Sequence, residues 1–234
     1  MTKNKNVTFK KILESELINS LKNDETFEKF NHPKTQCKLS LKDKEKKIEI
    51  TFSFLKTVSE DREDVIAHEL YYTISLRFKI VHKWFNKFYQ GSNSKDYLNA
   101  STYFKQFPGR RYEGEHFYED SYNLSLKRST SEIISNYNEF INNYGSLELL
   151  YQNLVEPILL GEEVNQIYTG PWIFEYLMIC RITNAENYSK LKEILYSFLT
   201  EMYNDGEPNS LDYFDLFDEI TNALENINIA DLKK

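Results

Sequence analysis

What this chain lacks narrows its chemistry before any element is assigned. Its seven glycines are scattered, so no glycine-rich loop can wrap a phosphate, and no G-x-S-x-G turn presents a nucleophilic serine. The four histidines, His32, His68, His82 and His116, stand at no metal-ligand spacing. His68-Glu69-Leu70-Tyr71-Tyr72 begins like the helix of a zinc peptidase, but Tyr72 takes the place of the second histidine and the motif fails. The two cysteines, Cys37 and Cys180, lie far apart in segments that read as buried, which makes them core thiols rather than a disulfide. No cofactor, metal ion or catalytic residue is expected. Long hydrophobic runs are missing too: the most apolar stretch, Trp172 to Cys180, is interrupted by Glu175 and is far too short to span a bilayer. Met1 to Phe9 is rich in Lys and Asn and has no apolar signal segment, so a cytoplasmic protein away from membranes is the expectation.

The sharpest absence is that of basic residues near the C-terminal end. From Glu193 to Leu232, forty residues hold ten carboxylates and no Lys, Arg or His. Cut at residue 120, the chain carries +4 on the first side and −11 on the second, together its net −7. Such a separation makes a field that attracts basic partners and repels nucleic acid and anionic membranes.

What is present is apolar area, much of it in rings. Hydrophobic residues make up 41% of the chain, with 17 Tyr and 16 Phe, enough for a substantial core and against disorder. Phe9, Ile12, Leu13, Leu17 and Leu21 recur at helical spacing over residues 8 to 22. The period then falls to two. Cys37, Leu39 and Leu41 alternate with polar residues from Lys34 to Leu41, and after the turn Lys42 to Glu45 the alternation resumes with Ile48, Ile50, Phe52 and Phe54, predicting a β-hairpin. Leu70, Tyr72, Ile74, Leu76, Phe78 and Ile80 predict a third strand, whose end passes into the helical spacing of Val81, Trp84, Phe85 and Phe88. Residues 90 to 128 read as irregular, with Tyr118, Tyr122, Leu124 and Leu126 as an edge strand. Helices follow after Ser131, with Ser146 as an N-cap, Pro157 as a stop, and Pro171 opening a helix through Cys180. The expected fold is α+β: a meander of three or more antiparallel strands packed with an N-terminal helix, then a helical C-terminal half. One domain over 1–234 is preferred, divisible into an α/β-meander part, 1–128, and a helical part, 129–234.

Two places could carry function. The last helix, about Ser210 to Asn226, gathers Tyr213, Phe214, Phe217, Ile220 and Leu224 on one side and Asp212, Asp215, Asp218, Glu219 and Glu225 on the other. The plain account is the solvated back of a packed helix; the sharper one is a docking surface at Asp212, Asp215, Asp218 and Glu219 for a basic protein. The second place is the segment 109 to 120. Arg110 and Arg111 could hold an anion, and Glu113 lies three residues before His116, which could serve as ligand or acid/base in an enzyme or a small-anion or metal-binding protein. Lys34, Lys38, Lys42, Lys44, Lys46 and Lys47 make the hairpin basic, but the net negative charge counts against nucleic acid and the lysines read as guards of a strand edge.

Phe9-Lys10-Lys11-Ile12-Leu13, the alternating strands from Cys37 to Ile80, Tyr137-Asn138-Glu139-Phe140-Ile141 and Ser146-Leu147-Glu148-Leu149-Leu150 fall in an order of helix, long hairpin, long third strand, irregular segment and helices. That layout resembles certain uncharacterised bacterial domain-of-unknown-function families, some of whose members occur among immunity proteins of polymorphic toxin systems. The resemblance covers about two thirds of the chain by pattern. It implies a fold, carries over no functional residue and, on its immunity branch, implies stoichiometric blocking of a toxin. The expected function is thus a non-catalytic binding module that meets a basic protein.

Overall fold

A computed structural model of the chain describes residues 2–33, 36–59, 62, 65–85, 88, 103–107, 116–162, 172–206 and 210–232; side-chain surroundings are described for these except at 2–8, 83, 85, 103–107, 172, 210–213, 215 and 231–232. The chain gathers into two compact units, Met1–Arg77 with Tyr103–Phe140, and Phe78–Thr102 with Ile141–Lys234. The architecture is α+β, as the change of period predicts.

In the first unit, helix α1 (Thr2–Lys22) brings Leu13, Leu17 and Leu21 to complete burial through their three- and four-residue spacing. Strands β1 (Lys38–Lys42), β2 (Lys46–Val58), β3 (Ile66–Phe78) and β4 (Tyr103–Phe107) form one sheet in chain order. β1 pairs antiparallel with β2, setting Leu39 against Ile50 and Leu41 against Ile48. The turn between them is set by Asp43, whose carboxylate accepts the backbone N–H groups of Glu45 and Lys46 at 2.8 and 2.7 Å. Alternation does the rest. Ile48, Ile50, Phe52 and Phe54 of β2, with Leu70, Tyr72, Ile74 and Leu76 of β3, are buried at every second position. β1 is an edge strand, so Lys38 and Lys42 stand where lysines discourage edge pairing. Beyond α1, the Lys22 ammonium donates to the carbonyls of Phe27, Glu28 and Phe30, satisfying the carbonyls of a tight turn. Phe27 and Phe30 then pack on Tyr137 with ring centroids 5.0 and 5.6 Å away.

The fourth strand lies at Tyr103–Phe107 and not at Tyr118–Leu126. Helix α3 (Tyr122–Tyr144) already begins at Tyr122, nine residues before the expected start. The alternation of Tyr122, Leu124 and Leu126 misleads because Leu124 is 59% exposed, whereas Leu126, Ile133, Tyr137 and Phe140 are buried at helical spacing. β4 instead pairs Phe107 to Tyr103 antiparallel with Tyr72 to Leu76.

In the second unit, α2 (Lys79–Phe85) follows directly from β3, as the spacing from Val81 predicts. Gly145 breaks the helical run where a Cβ would collide with the Ile141 carbonyl, and Ser146 caps α4 (Leu147–Leu150) by accepting from the Leu149 N–H at 3.2 Å. Pro157 does not stop this helix. A π-helical segment, Tyr151–Val155, whose wider turn sends the Glu156 N–H to the Tyr151 carbonyl, places Pro157 in the first turn of α5 (Glu156–Leu159), where a missing N–H costs nothing. Helix α6 (Trp172–Thr183) is buried at every position from Ile173 to Cys180 except Tyr176, so it is the core of this unit; Pro171 lies outside the described residues. Packed with it are α7 (Tyr188–Asn204) and α8 (Ser210–Glu225), and a short α9 (Ile229–Leu232) closes the chain. Gly206, at φ +72°, makes the left-handed turn that ends α7. Both cysteines are free: Cys37 is half-buried, Cys180 is fully buried, and burial raises their thiols to about 12 and about 11. Among the described residues no helix is long and apolar enough to cross a membrane.

Glu175, the one buried acid among the described residues, has a consequence for stability. Glu175 is 4% exposed, 3.8 Å from the buried His82 imidazole, and burial raises its carboxyl from 4.5 to about 8. Between these values the native chain holds a proton that the unfolded chain has lost, so stability falls as pH rises from about 5 to 8, by up to about 1.4 kcal/mol per unit. Glu175→Gln removes that slope. Denaturant unfolding at pH 5 to 8.5 should therefore show the variant gaining on the wild type as pH rises; parallel profiles would contradict the assignment.

Candidate functional site

Of the four residues expected to form a site near 110 to 120, Arg110, Arg111 and Glu113 lie outside the described residues; His116 is described and belongs to a hydrogen-bonded chain. The backbone sets it up. His68 and Phe117 exchange N–H···O bonds of 3.1 and 2.9 Å, laying the residues around Phe117 beside the start of β3. Phe117 is buried edge-on against Phe54, ring centroids 5.3 Å apart. Alternation then turns His116 and Tyr118 to the other side, where Glu69 and Tyr71 project from β3.

The contacts run in one direction. The carboxylate of Glu69 accepts from Tyr71 at 2.9 Å and lies 3.3 Å from Nε2 of His116. With Nε2–H given to Glu69, Nδ1 of His116 is the acceptor for the Tyr118 hydroxyl at 3.3 Å. Tyr118 is in turn 2.6 Å from the Ser59 hydroxyl, which accepts the Arg62 N–H at 3.1 Å. The Arg62 guanidinium lies over the Tyr118 ring, 4.1 Å from its centroid, and 3.3 Å from the Asp120 carboxylate. The Asp120 carboxyl is held below its usual range by the Ser121 hydroxyl and by Arg62. A carboxylate, an imidazole and a phenol in sequence could pass a proton. Here, however, Tyr118 and Ser59 are 8% and 4% exposed, and both already have partners. The chain ties the end of β2 to the turn before α3.

His68 is buried within β3 against the Phe9 ring, its Nδ1 without a hydrogen-bond partner among the described residues, and burial together with Lys10 and Lys56 lowers its pKa, favouring the neutral ring. His82 lies in α2, its imidazole 3.8 Å from the buried Glu175 carboxyl. Among the described residues no group of three or more His, Cys, Asp or Glu could hold a metal ion. Sequence reasoning missed Glu69, which comes to His116 through the sheet, and Ser59, which meets the Tyr118 hydroxyl; the His68-Glu69 pair was read for its spacing along one segment.

The acidic candidate is placed by the core. Phe217, Ile220 and Leu224 are at most 1% exposed, so α8 turns these inward and Asp218 and Glu219 outward. Asp212 and Asp215 lie in the same helix, but their side chains are outside those described. The block is not wholly unneutralised. At the C-terminal end of α8, the Lys192 ammonium lies 2.8 Å from Glu225, and Arg181 donates to the carbonyls of Leu224 and Glu225, both 3.3 Å away, as cations favour at a helix end. Glu193, Glu201, Asp205, Asp218 and Glu219 are exposed, and none forms an ion pair with a described residue.

Tyr118→Phe keeps the ring beneath Arg62 and removes the hydroxyl shared by His116 and Ser59. It should cost about 1–3 kcal/mol in chemical denaturation, the cost of leaving buried polar atoms unsatisfied; an unchanged midpoint would show that the hydrogen-bonded chain carries no net stability. The chain matches no known family model, and no curated protein or solved structure proves similar to it.

Proposed function

We propose that this chain is a non-catalytic protein-binding module that meets a basic protein surface through the exposed acidic side of α8. One observation carries the reading: Asp218 and Glu219 are exposed, within forty residues that hold ten carboxylates and no basic side chain. A helix shaped only for solubility more often sets bases four residues from its acids. The resemblance of its element order to uncharacterised families, some of whose members occur among immunity proteins, suggests a stoichiometric inhibitor as its narrower form, and a basic nuclease is a target that such a surface suits. An enzyme centred on His116 has less support, because the hydroxyls beside that imidazole are buried and engaged.

Charge-driven binding has a clear signature. A fluorescent lysine octamer is the probe, titrated against the full chain and read by anisotropy. Affinity should fall steeply with salt as the screening length shrinks from about 10 Å at 0.1 M to about 3 Å at 1 M. Asp218→Lys with Glu219→Lys should weaken binding about tenfold at low salt, the order expected for reversing close charges. Glu28→Lys with Glu45→Lys, which changes the net charge equally elsewhere, should leave it near wild type. Equal weakening by both pairs would overturn the assignment to α8.

A further inference from the structure

Helices α7 and α8 run antiparallel, since Lys192 near the start of α7 meets Glu225 at the end of α8, and Tyr203 near the end of α7 meets Phe214 near the start of α8. Their seam exposes rings. Tyr196 and Tyr203 are seven residues apart, hence on one side of α7, and are 43% and 46% exposed. Both contact the half-buried Phe214: the Tyr203 centroid is 5.5 Å away with planes 23° apart, the Tyr196 centroid 5.6 Å away with planes 33° apart. Tyr196 also lies 5.3 Å from the buried Phe217, which anchors the cluster to the core. Among the described residues neither tyrosine hydroxyl has a hydrogen-bond partner. Carboxylates flank the rings on the same helix sides, Glu193 three residues before Tyr196 and Asp218 four residues after Phe214. The nearest base in the sequence, Lys192, is held by Glu225.

We infer that Tyr196, Tyr203 and Phe214 form a platform for an arginine side chain of the basic partner, with Asp218 and Glu193 placed to take the edge of its guanidinium. The argument is chemical complementarity. A planar guanidinium can lie on an aromatic face and still point its N–H groups at carboxylates around the rim, whereas a compact, strongly hydrated ammonium does only one of these well. Exposed tyrosines already held by a neighbouring ring also lose little side-chain freedom on binding, which suits them to the centre of an interface. This inference rests on the proposed acidic docking surface and narrows it: the partner's key contact is Arg rather than Lys.

The test compares an arginine octamer with a lysine octamer on the full chain at matched low salt. Tyr196→Leu with Tyr203→Leu keeps apolar bulk and removes the rings. The ratio of arginine-octamer to lysine-octamer affinity should fall about fivefold, the scale of an exposed cation–π contact or two, while lysine-octamer affinity stays within about twofold. Tyr196→Phe with Tyr203→Phe should restore the ratio. In the unaltered chain, the arginine octamer should shift the ring-proton resonances of Tyr196 and Tyr203, a readout that needs no variant. An unchanged ratio in the Leu pair, or unmoved ring resonances in the wild type, would overturn the platform and leave the acidic surface standing. Failure of both octamers to bind the wild type would overturn both.

Discussion

The burial of Phe217, Ile220 and Leu224 fixes the rotation of α8, and the functional reading depends on that rotation. The three residues sit at three- and four-residue spacing, and the helix they face, α6, is apolar on nearly all sides. With these side chains inward, Asp218 and Glu219 have nowhere to go but water, and Phe214 comes to the seam with α7 beside Tyr196 and Tyr203. The same packing sends the C-terminal end of α8 to Arg181 and Lys192, which neutralise one end of the helix and leave the remainder negative. A one-residue change in rotation, about 100°, would exchange acid for core.

Charge in this protein is used in two contrasting ways. In the first unit Glu49, Glu69 and Lys22 find partners. Burial acts to raise the Glu49 carboxyl, yet Lys47 and Lys38 outweigh it and hold it below its ordinary value. Glu69 meets His116 and Tyr71, and Lys22 meets a cluster of carbonyls. These are structural uses, because a satisfied buried polar group stabilises the arrangement that satisfies it. On α7 and α8, Glu193, Glu201, Asp218 and Glu219 form no ion pair with a described residue. Open charge of one sign contributes little to folding and much to the rate and choice of association.

Local pattern carried most of the fold. The spacing of Leu13, Leu17 and Leu21, the alternation from Ile48 to Phe54 and from Leu70 to Leu76, the Ser146 cap and the inward face of α8 were all legible, because each is written within a few residues of itself. Other features depend on distant residues or on compensation. β4 carries no clean alternation over Tyr103–Phe107 and is defined by pairing with β3. Pro157 was read as a stop since nothing local announces the π-helical segment that absorbs it. At the candidate site, His116 drew notice by its acidic neighbours in sequence, yet its partner Glu69 reaches it through the bridge between His68 and Phe117. The acidic run from Glu193 to Leu232 was visible earliest, because a stretch without bases needs no tertiary information.

The most direct test is to locate where a basic chain touches this protein. Backbone amide shifts of the isotope-labelled full chain, titrated with the lysine octamer at low salt, report that position residue by residue. Shifts should concentrate on residues 193–225, strongest around Asp218 and Glu219, and fade as salt rises. Shifts concentrated on the sheet of the first unit, or spread evenly over both units, would contradict the account.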